Sequence, residues 1–449
     1  MTTPLRPHPL SLLSLALGTL LVTALGAPAQ AQSLLEVMDS ARTYDTAWQS
    51  ARAQLDAAAR RADQARAGLL PSAGLTAGLS RGNVELSRPP VENTGTQQTV
   101  GVQASQPLFR PANRITLEQG LRGIDVAQAQ LDAATQDLLV RVSQAYFDVL
   151  AAQDTLTFVQ AQKAAVSEQL ASAKRNFEVG TTTVTDSREA QARYDLVIAQ
   201  EIAAENDLRV KRLALDQLVG ITGTTPKPLA LPVPLPTVQP DNVALWVDTA
   251  RDQQPGVRQA AIALDIARLE TKKAETGHLP TVDLQAGYNI TRNPHGTITS
   301  PGVNNRTNSA SVGVALNLPL FAGFSVQNRV RETLALEEKA VADLETTRRN
   351  VAQATRAAFF GVQSGQGQVQ ALEAAEASSQ SALDANKLGY QVGVRINIDV
   401  LNAQSQLFQT KRDLAQARYN VLLGTLKLRQ AAGTLTPQDV EAINALLVR

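Results

Sequence analysis

Two short segments of the chain place a carboxylate at the same spacing from an aromatic residue. They are NFEVGTTTVTD at 176–186 and GYQVGVRINID at 389–399, and each reads aromatic, any residue, Val-Gly, five residues, Asp. The second segment also carries the cation Arg395. Carboxylates and guanidiniums can form charge-assisted hydrogen bonds. The repetition of one short loop that ends on a carboxylate indicates that both copies belong to a duplicated part of the chain.

The composition argues against other kinds of chemistry. The chain has no Cys and only three His, which leaves little for a metal site or a thiol nucleophile. Lys and Arg number 42 against 41 Asp and Glu, so the basic excess typical of nucleic-acid binders is missing. We therefore predict a protein that is not an enzyme, holds no metal or cofactor and binds no nucleic acid.

The first residues resemble an export signal. Arg6 precedes the apolar run at 10–26, and small residues follow it, so we predict a signal peptide at 1–31 with cleavage after Ala31. The alternative is an uncleaved membrane anchor. Beyond this segment no apolar run approaches the ~20 residues of a spanning helix, so insertion into a membrane would require a closed β-barrel.

The rest of the chain reads as a tandem duplication. Residues 39–79 realign with 248–288, and QPLF at 106–109 matches LPLF at 318–321. A repeat of about two hundred residues indicates two equivalent structural units packed together. The predicted parts are a first repeat at 32–222, a Pro-rich extended connector at 223–240, a second repeat at 241–433 and a C-terminal segment at 434–449.

Each repeat begins with an amphipathic helical run and continues with two strands. The runs start near Leu35 and Val243 and end near Pro71 and Pro280. The apolar period then changes to two, most clearly in TVDLQAGYNI and SVGVALNLPL of the second repeat. We predict four strands of about ten residues each, in pairs joined by polar loops at 88–98 and 292–309.

A long helix follows each strand pair. Residues 113–177 contain no Pro and place apolar residues at every seventh position, which predicts a coiled-coil helix of roughly 100 Å. Return helices are expected at 186–219 and 399–431. The two apolar columns of the first repeat are Leu117, Ile124, Leu131, Leu138, Ala145, Ala152, Val159, Val166 and Ala173, and Val142, Val149, Leu156, Leu170 and Phe177. Those of the second are Val330, Leu344, Val351 and Ala358, and Val341, Val362, Val369 and Leu372.

The strand count constrains the assembly. Four strands cannot close a membrane barrel, since the known ones begin at about eight. The chain must therefore oligomerise and contribute part of a shared barrel whose helices continue away from the membrane as a tube.

Together these motifs resemble the TolC family of outer-membrane efflux channels over nearly the whole mature length. The segments that carry the resemblance are LLPSAGL and HLPTVDL before the strands, QPLF and LPLF after them, FEVGTTTVTD, GYQVGVRINIDVLNAQ and LAQARYN. The resemblance implies a mixed α/β membrane protein: a homotrimer with a twelve-stranded β-barrel among outer-membrane lipids and an α-helical coiled-coil barrel in the periplasm. Such a passive exit duct docks to a periplasmic adaptor protein and an inner-membrane transporter in tripartite efflux or type I secretion.

The resemblance also assigns roles to the two Val-Gly segments. They become the turns at the periplasmic tip, where Tyr390 and Arg395 bond Thr185 and Asp186 of the neighbouring turn and close the gate. Asp399 faces the lumen as an acidic ring. Asn402, one helical turn on, stands where the family pattern has a second carboxylate, which implies one acidic ring and weaker cation preference. The turns at Gly180 and Gly393 are expected to meet the adaptor.

Simpler interpretations stay open for these residues. Both glycines fit helix C-terminal caps. Asp186, with Glu189 three residues later, fits a helix N-cap, and Asp399 fits a carboxylate that favours a helix dipole. Without the resemblance Tyr390 and Arg395 would read as a surface pair. For the whole chain, the alternative function is a coiled-coil stalk or adhesin of the cell envelope without channel activity.

Overall fold

The computed structural model describes residues 31–87, 90–297 and 300–448, so the predicted signal peptide lies outside the described residues except for Ala31.

The two halves repeat one order of elements. The first half contains α1 (Leu34–Tyr44), α2 (Thr46–Ala67), β1 (Ser72–Ser87), β2 (Pro90–Phe109), α3 (Pro111–Glu178) and α4 (Val184–Val219). The second contains α5 (Val243–Gln253), α6 (Pro255–Glu275), β3 (Thr281–Asn293), the two-residue strands β4 (Gly296–Thr297) and β5 (Ser300–Pro301), β6 (Asn305–Asn317), α7 (Ser325–Gln391) and α8 (Asn397–Ala432), after which comes α9 (Pro437–Asn444).

Each predicted first helical run is divided into two helices. In the first half, Asp45 ends α1, and its carboxylate accepts a hydrogen bond of 2.7 Å from the Trp48 amide at the start of α2. In the second half Pro255 follows Gln254, and a residue before proline is disfavoured in helical conformation. The runs also stop earlier than predicted, since α2 ends at Ala67 and α6 at Glu275.

The two long helices confirm the heptad prediction. Helix α3 has 68 residues and α7 has 67, which corresponds to roughly 100 Å each. Most of the central apolar positions of α3 are buried against α2, α4, α6 and α8. Phe177 and Val341 are exceptions in a single protomer, with exposed fractions of 45 and 48%.

Within the described ranges, no helix holds a stretch that is both long and apolar enough to cross a membrane.

One antiparallel sheet joins the two halves. Its strand order is β1-β2-β3-β6, so the central contact pairs a strand of the first half with a strand of the second. Val102 lies opposite Leu75 on one side and opposite Tyr288 on the other. Many of its apolar side chains are exposed in the single protomer, among them Leu75, Leu79, Val312, Val314 and Leu316.

The prediction of ten-residue strands was wrong. The four strands contain 16, 20, 13 and 13 residues, and residues 90–98 of the predicted loop belong to β2. Antiparallel pairing uses backbone groups, so the Gly- and Asn-containing segment continues the ladder as far as Ser87 opposite Pro90. The second predicted loop is also shorter, and it contains the small β4–β5 ladder.

A bidentate ion pair fixes the junction of sheet and helices. Arg110, just before α3, donates from Nε and Nη2 to the two carboxylate oxygens of Asp283 at 2.8 and 2.6 Å. Asp283 lies in β3 and is 7% exposed. Two parallel N–H···O bonds set both distance and orientation, so this pair holds the start of α3 against the second half of the chain.

The connector and the C-terminal segment complete the helical core. Residues 223–240 form no helix or regular strand, although Leu229 bridges to Leu447. The predicted C-terminal segment contains helix α9, whose Val440 and Ile443 pack in the largest apolar cluster beside α1 and α3. The predicted domain boundaries themselves stay predictions.

Candidate functional site

Both Val-Gly turns end their long helix in the same way. Gly180 and Gly393 have φ of 78° and 79°. The amide of Thr181 donates to the Asn176 carbonyl at 2.9 Å, and the amide of Val394 donates to the Gly389 carbonyl at 2.8 Å. A glycine in left-handed conformation satisfies the last carbonyls of a helix. The prediction that both glycines are C-terminal caps is confirmed.

The first turn continues into α4 through a capping box. The Asp186 amide donates to Thr183 Oγ1 at 3.3 Å, while the Thr183 amide donates to Asp186 Oδ2 at 3.1 Å. Thr183 is therefore the N-cap and Asp186 the third helical residue. The interpretation of Asp186 as the N-cap was wrong, because the threonine three residues earlier takes that position.

The second turn starts α8 without a side-chain cap. Ile396 stands at the N-cap position and offers no hydrogen-bond acceptor in its side chain. Asp399 lies in the first turn, as the dipole interpretation expects, and its carboxylate lies 3.7 Å from Arg395 Nη1. The Arg395 side chain is 59% exposed. Its guanidinium is thus available at the surface of the protomer.

The four predicted latch residues lie close to the two turns but do not bond one another within one protomer. Among the described residues, Tyr390 Oη accepts a hydrogen bond of 3.2 Å from Asn176 Nδ2. The Asp186 carboxylate is used in its capping box, and Thr185 is exposed. In an oligomer each turn has a second neighbour on the next protomer, so the latch between Tyr390/Arg395 and Thr185/Asp186 stays a prediction.

A buried amide that the sequence reasoning missed joins the two hairpins. Asn397 is 1% exposed, donates to the Asp186 carbonyl at 3.3 Å and accepts from Gln169 Nε2. It thereby ties the start of α8 to both α3 and α4. An asparagine beside a helix start suggests local capping, so the sequence held no signal for this longer-range role.

Asn402 also has a partner that sequence reasoning missed. Arg193 of α4 donates from Nη2 to Asn402 Oδ1 at 2.8 Å. At the position where a second carboxylate was sought, the structure therefore presents an amide bound by a cation. No spacing in the sequence links two residues so far apart.

The tip turns expose several apolar side chains. Val394 is 78% exposed, and Val179, Leu388, Val392 and Ile396 are also exposed. Four of the five lie between positions 388 and 396, and apolar side chains grouped at a surface in this way are typical of interaction sites. The turns can therefore take part in protein contact in addition to closing a helical hairpin.

Known proteins share both the sequence and the architecture. The sequence model described as "Outer membrane efflux protein" matches residues 37–221 and 246–434. The chain is similar to the outer membrane protein TolC of Vibrio cholerae, with 34% identity over 433 residues, which is 96% of each protein. It is 30% identical to the proteases secretion protein PrtF of Dickeya chrysanthemi, over 95% of this chain and 94% of that protein.

A solved structure supports the same fold. The outer membrane protein VceC of Vibrio cholerae superposes with a TM-score of 0.76, at 20% identity, over 89% of this chain and 96% of VceC. At this identity the likeness concerns the arrangement of elements.

Proposed function

Because the chain belongs to the outer membrane efflux protein family, we propose that it is the passive exit duct of a tripartite efflux or type I secretion system, gated at its periplasmic tip. Family membership makes it an outer-membrane channel protein and not an enzyme. The observation that carries the proposal is the combination of one four-stranded sheet with helices of 68 and 67 residues.

The sheet supports a trimeric barrel. Among the described strands of the main sheet, β1 and β6 are its two edges, and each has an unpaired side in the protomer. Long open edges of apolar strands are avoided in stable proteins, and barrels remove them by closure. Edges β1 and β6 of successive protomers would pair, and three chains would give twelve strands, within the range of outer-membrane barrels.

The repeated order of elements supports an internal duplication. The family sequence model matches the chain twice, once in each half. The two equivalent hairpins of each chain would alternate around the tip of a trimer. The α7–α8 hairpin of one protomer would then lie between its own α3–α4 hairpin and the α3–α4 hairpin of the next protomer.

The contacts at the tip support a gate. Within one protomer the contacts that join the second hairpin to the first include those of Asn397, of Tyr390 with Asn176 and of Asn402 with Arg193. Arg395, being exposed, can reach Thr185 and Asp186 of the next protomer, each charge-assisted bond contributing about 1.5–3 kcal/mol. Opening would release these bonds and rotate the second hairpin outward.

The exposed apolar turns support docking to a periplasmic adaptor. Val179 of the first turn and Val392 and Val394 of the second are exposed. Binding there could offset the lost latch bonds, with the inner-membrane transporter supplying the energy. The matches to both TolC and a protease secretion protein fit either efflux or type I secretion.

Single-channel conductance in a planar bilayer tests the proposal. Wild type is compared with the double variant Tyr390→Phe/Arg395→Ser, and Arg209→Ser, an exposed arginine of α4, serves as control. Small wild-type steps that grow several-fold only in the double variant support the gated duct. Equal conductance steps in wild type and double variant would show that Tyr390 and Arg395 do not form the gate. No steps in either protein would favour the alternative function, a stalk or adhesin without channel activity.

A further inference from the structure

A polar cavity lies between α3, α4 and α8, on the sheet side of the tip. Its volume is about 390 Å³. The described residues that line it include two arginines and several amides but no Asp or Glu. They include Gln162, Arg193, Gln200, Asn402, Gln409 and Arg412.

Arg193 marks the end of the cavity near the tip. Its hydrogen bond to Asn402 Oδ1, at 2.8 Å, goes to a neutral group. Among the ion pairs of the described residues, none includes Arg193. One neutral acceptor leaves most of the five N–H donors of a guanidinium available to a ligand.

Arg412 marks the other end. It donates from Nη1 to Gln162 Oε1 at 3.2 Å and from Nη2 to Gln409 Oε1 at 2.7 Å. Gln162 is 4% exposed, so the guanidinium is held against the interior. Burial lowers the pKa of Arg412, and the nearby Asp413 only partly offsets this effect. Asp413 accepts a hydrogen bond from Gln409 at 2.8 Å, and Arg412 forms no ion pair among the described residues. A half-buried cation usually has such a pair.

Three other interhelical arginines do form ion pairs. Arg141, Arg258 and Arg418 contact carboxylates of another helix or its cap at 3.0, 3.1 and 2.9 Å. Arg212 of α4, which donates to Gln153 Oε1 of α3 at 2.8 Å, shows that an amide can also be the partner. The cavity differs from these places because it brings two such guanidiniums, Arg193 and Arg412, to one space.

Gln200 supplies an independent indication of a ligand. Its Oε1 atom is buried and has no hydrogen-bond partner within the part of the chain described. A buried polar atom of this kind is costly unless something bonds it. A protonated oxygen of a phosphate or a carboxylic acid would donate to it.

We propose that this cavity binds an elongated polyvalent oxyanion, carrying phosphate or carboxylate groups, between Arg193 and Arg412. Their partners Asn402 and Gln409 are seven residues apart on α8, which corresponds to about 10 Å along the helix. One small anion can neutralise only one guanidinium at that separation, whereas a chain of anionic groups can reach both. The site is built within a single protomer and does not depend on the proposed duct.

Calorimetric titration of the full-length protein in detergent tests the site. Tripolyphosphate and orthophosphate are the probes, at equal ionic strength and without divalent cations. Wild type should bind tripolyphosphate at least about tenfold more tightly than orthophosphate. Arg193→Gln and Arg412→Gln should each weaken tripolyphosphate binding about tenfold, the equivalent of 1.4 kcal/mol.

Matched variants separate the cavity from general charge effects. Arg188→Gln removes the same charge from an exposed position of α4 and should change binding less than about twofold. Asn402→Asp should also weaken binding, because the new carboxylate pairs with Arg193, and Asn402→Ala should not. The Asn402 variants change an exposed residue, so they keep the test valid if Arg412→Gln does not fold.

Two results would overturn the proposal: absence of tripolyphosphate binding to wild type, or equal loss in Arg188→Gln and Arg193→Gln. Since binding is measured without a bilayer, failure here is distinct from failure of the proposed conductance.

Discussion

The two tip turns begin alike and end differently. Each long helix stops at a glycine with φ near 80°, as the values of 78° and 79° show. The first turn then starts its return helix with the Thr183–Asp186 capping box. The second turn starts with Ile396, and its fixed points are the contacts of Asn397 and Tyr390 with the other hairpin.

The first turn is stabilised by hydrogen bonds within its own segment, whereas the second is stabilised by contacts with the other hairpin. The first turn satisfies its own helix start, so its conformation does not require the second hairpin. The second turn has no side-chain cap of its own, so its conformation depends on its contacts with the other hairpin. A turn held by a few tertiary hydrogen bonds can be released as a unit, as a gate requires.

The largest effect is expected from Asn397→Ala. The change leaves the Asp186 carbonyl and the Gln169 amide without their partner, at a cost of about 2 kcal/mol. Hydrogen exchange at 389–399 should accelerate by about thirtyfold, whereas exchange at 176–186 should change little. Asn420→Ala, the same substitution at an exposed position of α8 whose side chain bonds only Gln416 of the same helix among the described residues, is the control. Equal acceleration in both turns would show that the first turn also depends on Asn397.

Substitutions at the two N-cap positions should have an intermediate effect on the stability of the turns. Thr183→Ala removes the capping box and should destabilise the first turn by about 1 kcal/mol. Ile396→Thr turns INID into TNID, the pattern of TVTD at 183–186, and should stabilise the second turn by about 0.5–1 kcal/mol.

Hydrogen exchange of the two turns measures both variants. The new threonine would also take the Asp399 carboxylate away from Arg395. A slower-opening second turn in Ile396→Thr is the expected result, and faster exchange there would mean that the isoleucine itself supports the turn.

The smallest effect is expected from Asp399→Asn on stability. The Arg395–Asp399 pair measures 3.7 Å and is largely exposed, and such pairs contribute about 0.5 kcal/mol or less. The melting temperature should therefore stay close to that of wild type at low and high salt. A large drop at low salt would show that the carboxylate has a stronger partner than Arg395 in the assembled protein.

The sequence predicted the helical architecture well because its signals are local and repeated. The heptad columns of α3, the proline-free run from 113 to 177 and the two Val-Gly turns each follow from neighbouring residues. The four main strands were also found from their alternation. Their lengths were not, because Gly and Asn in 90–98 weaken the apolar pattern without preventing backbone pairing.

The candidate site was less predictable because its contacts join distant residues. Asn397 reads as a helix-start residue, yet it bonds two other helices. Arg193 meets Asn402 only because α4 and α8 approach each other. The N-cap was misplaced for a different reason: Thr183 and Asp186 are both suitable residues, and only geometry decides between them.

The Arg110–Asp283 ion pair and the length of α3 together make this helix a lever that pivots at the sheet. The pair holds one end of the helix at the sheet, and the turn lies at the other end, about 100 Å away. A rod of that length converts a tilt of about 2° into a displacement of about 3–4 Å at its free end. This exceeds what a hydrogen bond tolerates, so leverage alone can separate Tyr390 from Asn176, while side chains around Tyr146, halfway along α3, move only about half as far.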